Sequence, residues 1–308
     1  MLRLMPSRRN VLRTLGTGTL AAFLTRPRAV IANQQMLTRP IPRTGERLPV
    51  IGMGTWQTFD VGEGAAVRQP LEEVLRLFLE AGGRVIDSSP MYGRSEDVAG
   101  DLLARFDANR EAFVATKVWT EGREAGIRQM NESFEKLRVR QMDLMQVHNL
   151  VDWRTHLPTL RAWKDAGRVR YIGITYHRLE AFDEMERIIR NQSIDFVQLP
   201  YSVGVRRAEE RLLPAAADHD VAALVMRPFE GGSLFRRVRG RAVPEWAAEF
   251  DCRSWGQFFL KFILGHPAVT CPIPATSNPD HMRDNLGAGL GRLPDTELRR
   301  RMVAEVVG

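Results

Sequence analysis

Four side chains of types that can move a proton onto an oxygen recur along this sequence: Asp87, Tyr92, Lys117 and His148. Three of them close short apolar runs. Val85-Ile86 runs into Asp87, Val114-Ala115-Thr116 into Lys117, and Leu144-Met145-Gln146-Val147 into His148. Tyr92 follows Asp87 by five residues and can fold back over it. A phenol has a reference pKa of about 10, and a nearby ammonium favours the phenolate and lowers that value. Lys117 would do this to Tyr92, with Asp87 fixing the lysine. His148 would hydrogen-bond the oxygen that receives the proton and set its orientation. Such a set suits hydride delivery to a carbonyl, which puts negative charge on oxygen and needs a proton donor close by.

Singly, each residue has a plainer explanation. An aspartate at a strand end is usually a turn or capping residue, and a histidine is usually a satisfied core or surface group. Lysine is different here, because the chain has four lysines against 40 arginines. Lys117 sits in an apolar strand, where lysine is disfavoured. Its desolvation is costly unless a carboxylate compensates, and Asp87 on the neighbouring strand is the natural partner.

The elements that must position these groups follow a rhythm. Strands are expected at 51–55, 84–87, 113–116, 143–147, 170–174, 196–198, 222–226 and 269–272. Helices are expected at 71–81, 95–106, 124–138, 157–166, 178–190, 206–217, 253–265 and 278–289. Ser95 is expected as an N-cap, and Gly82-Gly83 as the stop of the first helix. Eight strands alternating with eight helices predict an α/β fold, a single-domain (β/α)8 TIM barrel, whose active site lies at the C-terminal strand ends. Rhythm alone also allows an open doubly wound sheet. No G-x-G-x-x-G lies between a strand and a helix, which weighs against that alternative. Residues 39–48, with Pro40, Pro42 and Gly45, suggest a hairpin before the first barrel strand.

Composition bounds the rest. The 308 residues are 44% hydrophobic and 26% charged, with a net charge of +7. That charge does not indicate a nucleic-acid partner. Residues 1–32 hold six arginines and no acid, leaving 38 basic against 37 acidic residues in the body. Cys252 and Cys271 read as two buried thiols, with a pairing as the alternative. No cluster of ligand-type residues suggests a metal. The N-terminus has Ser7-Arg8-Arg9-Asn10, a weakly apolar run at 14–24, and Ala29-Val30-Ile31-Ala32. It resembles a twin-arginine export signal spanning 1–32, ahead of a domain spanning 33–308. The export machinery would then be a partner, and the location periplasmic or otherwise exported, with cytoplasmic as the alternative.

The segment Val-Ile-Asp-Ser-Ser-Pro-Met-Tyr-Gly, residues 85–93, resembles the aldo-keto reductase signature. Thr116-Lys117, Val147-His148 and Gly52-Met53-Gly54-Thr55-Trp56 resemble other strands of that family, and the likeness runs from about residue 38 to 290. It implies a nicotinamide cofactor bound along the barrel rim without a Rossmann domain, NADP(H) ahead of NAD(H). By position, Thr55, Thr175, Gln198, Arg227, Phe229, Thr276, His281, Asp284 and Asn285 would meet the cofactor. Trp56, Met91, Trp119 and Asn149 would wall the substrate pocket for a small-molecule carbonyl. The chain departs from the family's usual residues at Thr175 (Ser), Tyr176 (Asn), Met226 (a ring), and Ala275 and His281 (often Lys and Arg). The alternatives are a cofactor-binding regulatory or redox-sensing subunit on the same fold, and a metal-dependent barrel lyase.

Overall fold

A computed structural model describes residues 35–308; the segment read as an export signal lies outside the described residues. The chain starts with a hairpin, β1 (Thr38–Pro40) antiparallel to β2 (Arg47–Pro49), where one was expected. Strands and helices then alternate: β3 (Met53–Gly54), α1 (Ala65–Glu80), β4 (Val85–Asp87), α2 (Ser95–Arg105), β5 (Phe113–Val118), α3 (Arg123–Leu137), β6 (Met142–His148) and α4 (Trp153–Asp165). They continue with β7 (Val169–Thr175), α5 (Phe182–Asn191), β8 (Phe196–Pro200), α6 (Leu212–Asp218), β9 (Ala222–Met226), α7 (Ser233–Arg237) and α8 (Trp255–Leu264). The last elements are β10 (Val269–Pro272), α9 (Pro279–Gly287) and α10 (Thr296–Val307).

Strands β3 to β10 lie side by side in chain order, each parallel to the next. The ring closes where Gly54 bridges Ala275 in parallel, with Gly52 N donating to Pro272 O at 3.0 Å and Gly54 N to Pro274 O at 3.2 Å. This is a (β/α)8 barrel, and the open-sheet alternative is excluded. The glycines make the closure possible: a Cβ on Gly54 would stand 2.9 Å from Ile273 O, and one on Gly52 2.9 Å from Ile273 Cγ2.

Side chains alternate along each strand. On β5, Phe113 and Ala115 point into the barrel, and Val114 and Val118 point toward the helices. The interior layer joins Val85, Phe113, Leu144, Tyr171, Phe196, Leu224 and Cys271, with Ile41 and Leu48 from the hairpin plugging the bottom. The outer layer packs the apolar faces of the helices, such as Leu71, Val74 and Phe78 of α1, against the sheet. Arg39 ties the plug down by donating to the carbonyls of Leu264, Val269 and, at 2.8 Å, His266. Cys252 and Cys271 are separate buried thiols.

Several local expectations need correcting. Helix α1 begins at Ala65, upstream of Pro70, because its first turn is solvent-exposed and needs no apolar stripe. Ser95 is not an N-cap: Arg94 occupies that position, and the Ser95 hydroxyl donates to Thr55 O at 3.4 Å. The helix expected over 178–190 is a 3-10 turn, Leu179–Ala181, leading into α5. The 206–217 helix is likewise a 3-10 turn, Arg207–Glu209, before a shorter α6. Helix α10 was not foreseen, although Asp295 caps it by accepting from Leu298 N at 2.9 Å.

Candidate active site

Strand alternation decides which polar residues meet. Asp87 is two residues beyond Val85 on β4, Lys117 two beyond Ala115 on β5, and Gln146 and His148 follow Leu144 on β6. All inherit the inward face, one layer above the apolar interior. Lys117 lies within β5 rather than after it, since the strand continues to Val118.

The layer is wired together. Lys117 Nζ donates to Asp87 Oδ2 and to Ser88 O, both at 2.6 Å. Gln198 Nε2 donates to Asp87 Oδ1 at 2.8 Å and Gln146 Nε2 to the same oxygen at 3.2 Å. Thr175 Oγ1 donates to Gln198 Oε1 at 3.2 Å, and Thr55 Oγ1 to Ser88 Oγ at 2.9 Å. Tyr92 reaches over this layer from the β4–α2 loop. Lys117 Nζ stands 5.1 Å from its ring centroid, and the Tyr92 and His148 rings meet edge-to-face at 5.8 Å. Lys117 and Asp87 are buried. An unpaired charge there would be untenable, so each is the condition for the other.

The electrostatics follow from burial and from that pair. Burial opposes the Lys117 ammonium, but Asp87 and Tyr92 more than offset it and raise its pKa above the ordinary lysine value. Burial pushes the Tyr92 phenol up, and Lys117 pulls it back only in part, so its pKa stays above the ordinary value in the protein without ligand. This corrects the expected direction: the lysine moderates the rise rather than producing a net fall. His148 is driven down to about 2, first by burial, then by Lys117 and His177. Burial and the neighbouring Lys117 charge favour the neutral imidazole at neutral pH.

The rim carries the remaining expected residues. Trp56, Met91 and Trp119, in the loops after β3, β4 and β5, are 48%, 38% and 41% exposed. The Trp119 ring lies 6.4 Å from that of His148. Asn149 is turned toward the β7–α5 loop, with Oδ1 3.1 Å from His177 Nδ1. A cleft of about 600 Å³ opens around the rim from the tetrad, lined by His177, Arg178, Tyr201, Arg227, Glu230 and Ser233 among others. Arg227 is exposed there, whereas the Phe229 ring packs 5.0 Å from Phe235 and 6.4 Å from Phe259. Thr276 is buried and accepts from Asn278 N at 3.0 Å at the start of α9. On α9 itself His281 is exposed and Asn285 buried. Asp284 accepts from Ser254 Oγ at 2.7 Å and Gln257 Nε2 at 2.9 Å, which docks α9 onto α8. Arg283 is engaged by Asp280 at 2.8 Å and Glu73 at 3.1 Å.

Sequence reasoning missed Ser89 and Gln146. Ser89 Oγ lies 2.9 Å from His148 Nδ1, and both groups are buried. For Gln146 the signal was available, since it is two residues before His148 on β6 and shares its inward face; Ser89 lies in the loop after β4, where strand alternation gives no such signal.

The fold is an eight-stranded barrel with a buried, hydrogen-bonded polar layer above its apolar interior. The Aldo/keto reductase family model matches residues 50–302. The chain is 31% identical to methylglyoxal reductase DkgA of Yersinia pestis over 249 residues, 78% of this chain and 83% of that one. It is 27% identical to aldo-keto reductase YhdN of Bacillus subtilis, over 68% of this chain and 66% of that relative. An aldo/keto reductase structure from Klebsiella pneumoniae in complex with NADP and acetate superposes with a TM-score of 0.70 at 21% identity, covering 85% of this chain and 93% of that one. The chain belongs to the aldo/keto reductase family.

Proposed function

We propose that the protein reduces an aldehyde or ketone to an alcohol with a nicotinamide cofactor, NADPH ahead of NADH. Tyr92 is the proton donor, Asp87 and Lys117 set its acidity, and His148 orients the carbonyl. The observation that supports this most is the Lys117–Asp87 pair held beneath the Tyr92 ring, beside a neutral His148. Two of the three Lys117 protons are used by Asp87 and Ser88, which leaves the third for the phenol oxygen. The phenol proton goes to the carbonyl oxygen as the carbonyl carbon accepts hydride, and the phenolate left behind is stabilised by Lys117. A neutral imidazole donates one N–H to that oxygen without competing as an acid.

The cofactor supplies the hydride. The cleft along the rim offers Arg178 and Arg227 to the cofactor's phosphates, with Glu180 and Glu230 also in its lining. Thr55, Thr175 and Gln198 in or beside the polar layer, and Thr276, His281 and Asn285 before and along α9, are the further residues assigned to the cofactor. The bonds made by Asp284 and Phe229 within the protein point to supporting roles for those two. NADP bound in the Klebsiella structure supports the cofactor class. The exposed Trp56, Trp119 and Met91 favour a substrate with an apolar body.

The test is Tyr92→Phe. Removal of a positioned general acid lowers kcat by about 100- to 10,000-fold, while cofactor affinity, read by fluorescence titration, is kept. Unchanged turnover removes the assigned acid and favours a cofactor-binding regulatory role. The kcat/KM of the parent protein with each cofactor settles the preference. Export through the twin-arginine route is a further part of this reading, supported by Arg8-Arg9 and the weakly apolar run behind them. A mature N-terminus that keeps Met1 in the soluble cytosol rejects it.

A further inference from the structure

We propose that Ser89 is a positioning residue that fixes the tautomer of His148, so that Nε2 carries the imidazole proton. The inference rests on the carbonyl-reduction reading for its purpose, but not for its geometry.

Ser89 lies on the loop just after β4, fully buried, and Pro90 follows it. A residue before proline is confined to extended backbone, which restricts where the Ser89 hydroxyl can point. Its oxygen has two neighbours among the described residues. Met91 N donates to it at 3.4 Å, and His148 Nδ1 stands 2.9 Å away. The orientation of the second bond follows from satisfying both groups. If Nδ1 carried the proton, the Ser89 oxygen would face two N–H donors, and its own proton would be buried without an acceptor, an arrangement folded proteins avoid. With the hydroxyl donating to Nδ1, every group is satisfied and the ring proton sits on Nε2.

The tautomer matters because the ring is neutral. An imidazolium would donate from both nitrogens, whatever Ser89 did. Buried next to the Lys117 ammonium, the neutral ring has one N–H and one lone pair. Nδ1 is occupied by Ser89, so Nε2 is the nitrogen left for a carbonyl oxygen. An N–H there attracts that oxygen and a lone pair repels it. Ser89 thereby chooses between a site that receives a carbonyl and one that rejects it, without touching the substrate.

The experiment is long-range proton–nitrogen NMR on protein labelled with 15N-histidine, with His148 assigned by its loss in His148→Gln. The parent protein is expected to show a single neutral tautomer protonated at Nε2. Ser89→Ala is expected to give a mixture or the Nδ1-protonated form. Its kcat falls about 10- to 100-fold, the size of loss that follows removal of the hydrogen-bond partner of a metal-bound histidine, and its KM for cofactor is unchanged. Ser89→Thr, which keeps the hydroxyl, restores the Nε2 tautomer and most of the turnover. An Nδ1-protonated parent, or Ser89→Ala with the Nε2 tautomer and full turnover intact, overturns the inference. The spectrum needs no substrate, so a wrong tautomer beside intact carbonyl reduction rejects only the role of Ser89. A correct tautomer in a protein that reduces no carbonyl rejects only the activity.

Discussion

At the scale of residues, the site is a set of mutual obligations. Asp87 accepts from Lys117, Gln198 and Gln146, so its carboxylate is satisfied from three strands at once. His148 shows what such surroundings do to a titration. Its folded pKa of about 2 lies far below the ordinary value of 6.5. Between those limits the unfolded chain binds a proton at His148 that the folded chain refuses. The contribution is therefore fully present above about pH 6.5 and is lost as pH falls, at up to about 1.4 kcal/mol per pH unit for the one proton. His148→Gln, which cannot titrate, is expected to show a shallower loss of stability between pH 6.5 and 4 in urea melts. An equally steep loss would assign the acid sensitivity elsewhere. The tetrad was legible in the sequence because each member interrupts an apolar run or follows one closely. Ser89 was hidden because a serine beside Ser88 in a loop looks like turn chemistry. Only the three-dimensional approach of His148, 59 positions away, gives it a task.

At the scale of elements, the barrel depends on how closely β3 can approach β10. Strand β3 is two residues long, and Gly52 before it and Gly54 within it let backbone meet backbone. Gly54→Val puts a branched side chain against the Ile273 carbonyl, a contact already at 2.9 Å for a Cβ alone. Overpacking of this kind costs about 1–3 kcal/mol. Thr55 and Asp87 lie beside the seam, with Thr55 N donating to Asp87 O at 3.1 Å. The expected outcome is a lower Tm together with weakened cofactor binding. A normal Tm would show that the seam is softer than its spacing. The eight strands were readable from their β-branched runs. Helix ends were less so, because an exposed first turn, as in α1 before Leu71, carries no apolar signal. Helix α10 was readable in principle from Asp295 ahead of Leu298, Met302 and Val306. It falls after the eighth repeat, where the rhythm no longer demands a helix.

At the scale of the whole molecule, the two ends of the barrel have separate duties. The C-terminal rim holds the tetrad and the cleft. The N-terminal end is sealed by the hairpin, by Arg39 on three carbonyls, and by Glu46, which accepts from Arg170 and, at 2.7 Å, from Tyr171 Oη. The separation makes a paired prediction. Arg39→Met removes the guanidinium from three carbonyls, of which His266 O keeps the Val269 N–H, at about 1–3 kcal/mol for each one left unsatisfied. It should lower the Tm while leaving kcat/KM per folded molecule unchanged. Tyr92→Phe should do the reverse. Loss of turnover in folded Arg39→Met would mean that the plug communicates with the rim.

The seam between β3 and β10 also sets an order of events during synthesis. Its two halves are separated by more than 200 residues, so the ring has no way to shut until nearly the whole chain has left the ribosome. Until then a growing sheet carries two open edges, and open edges are where chains pair with the wrong neighbour. The glycine-lined first strand waits through almost all of translation for its final partner. The two edges can cover one another only once the residues from 269 onward have emerged.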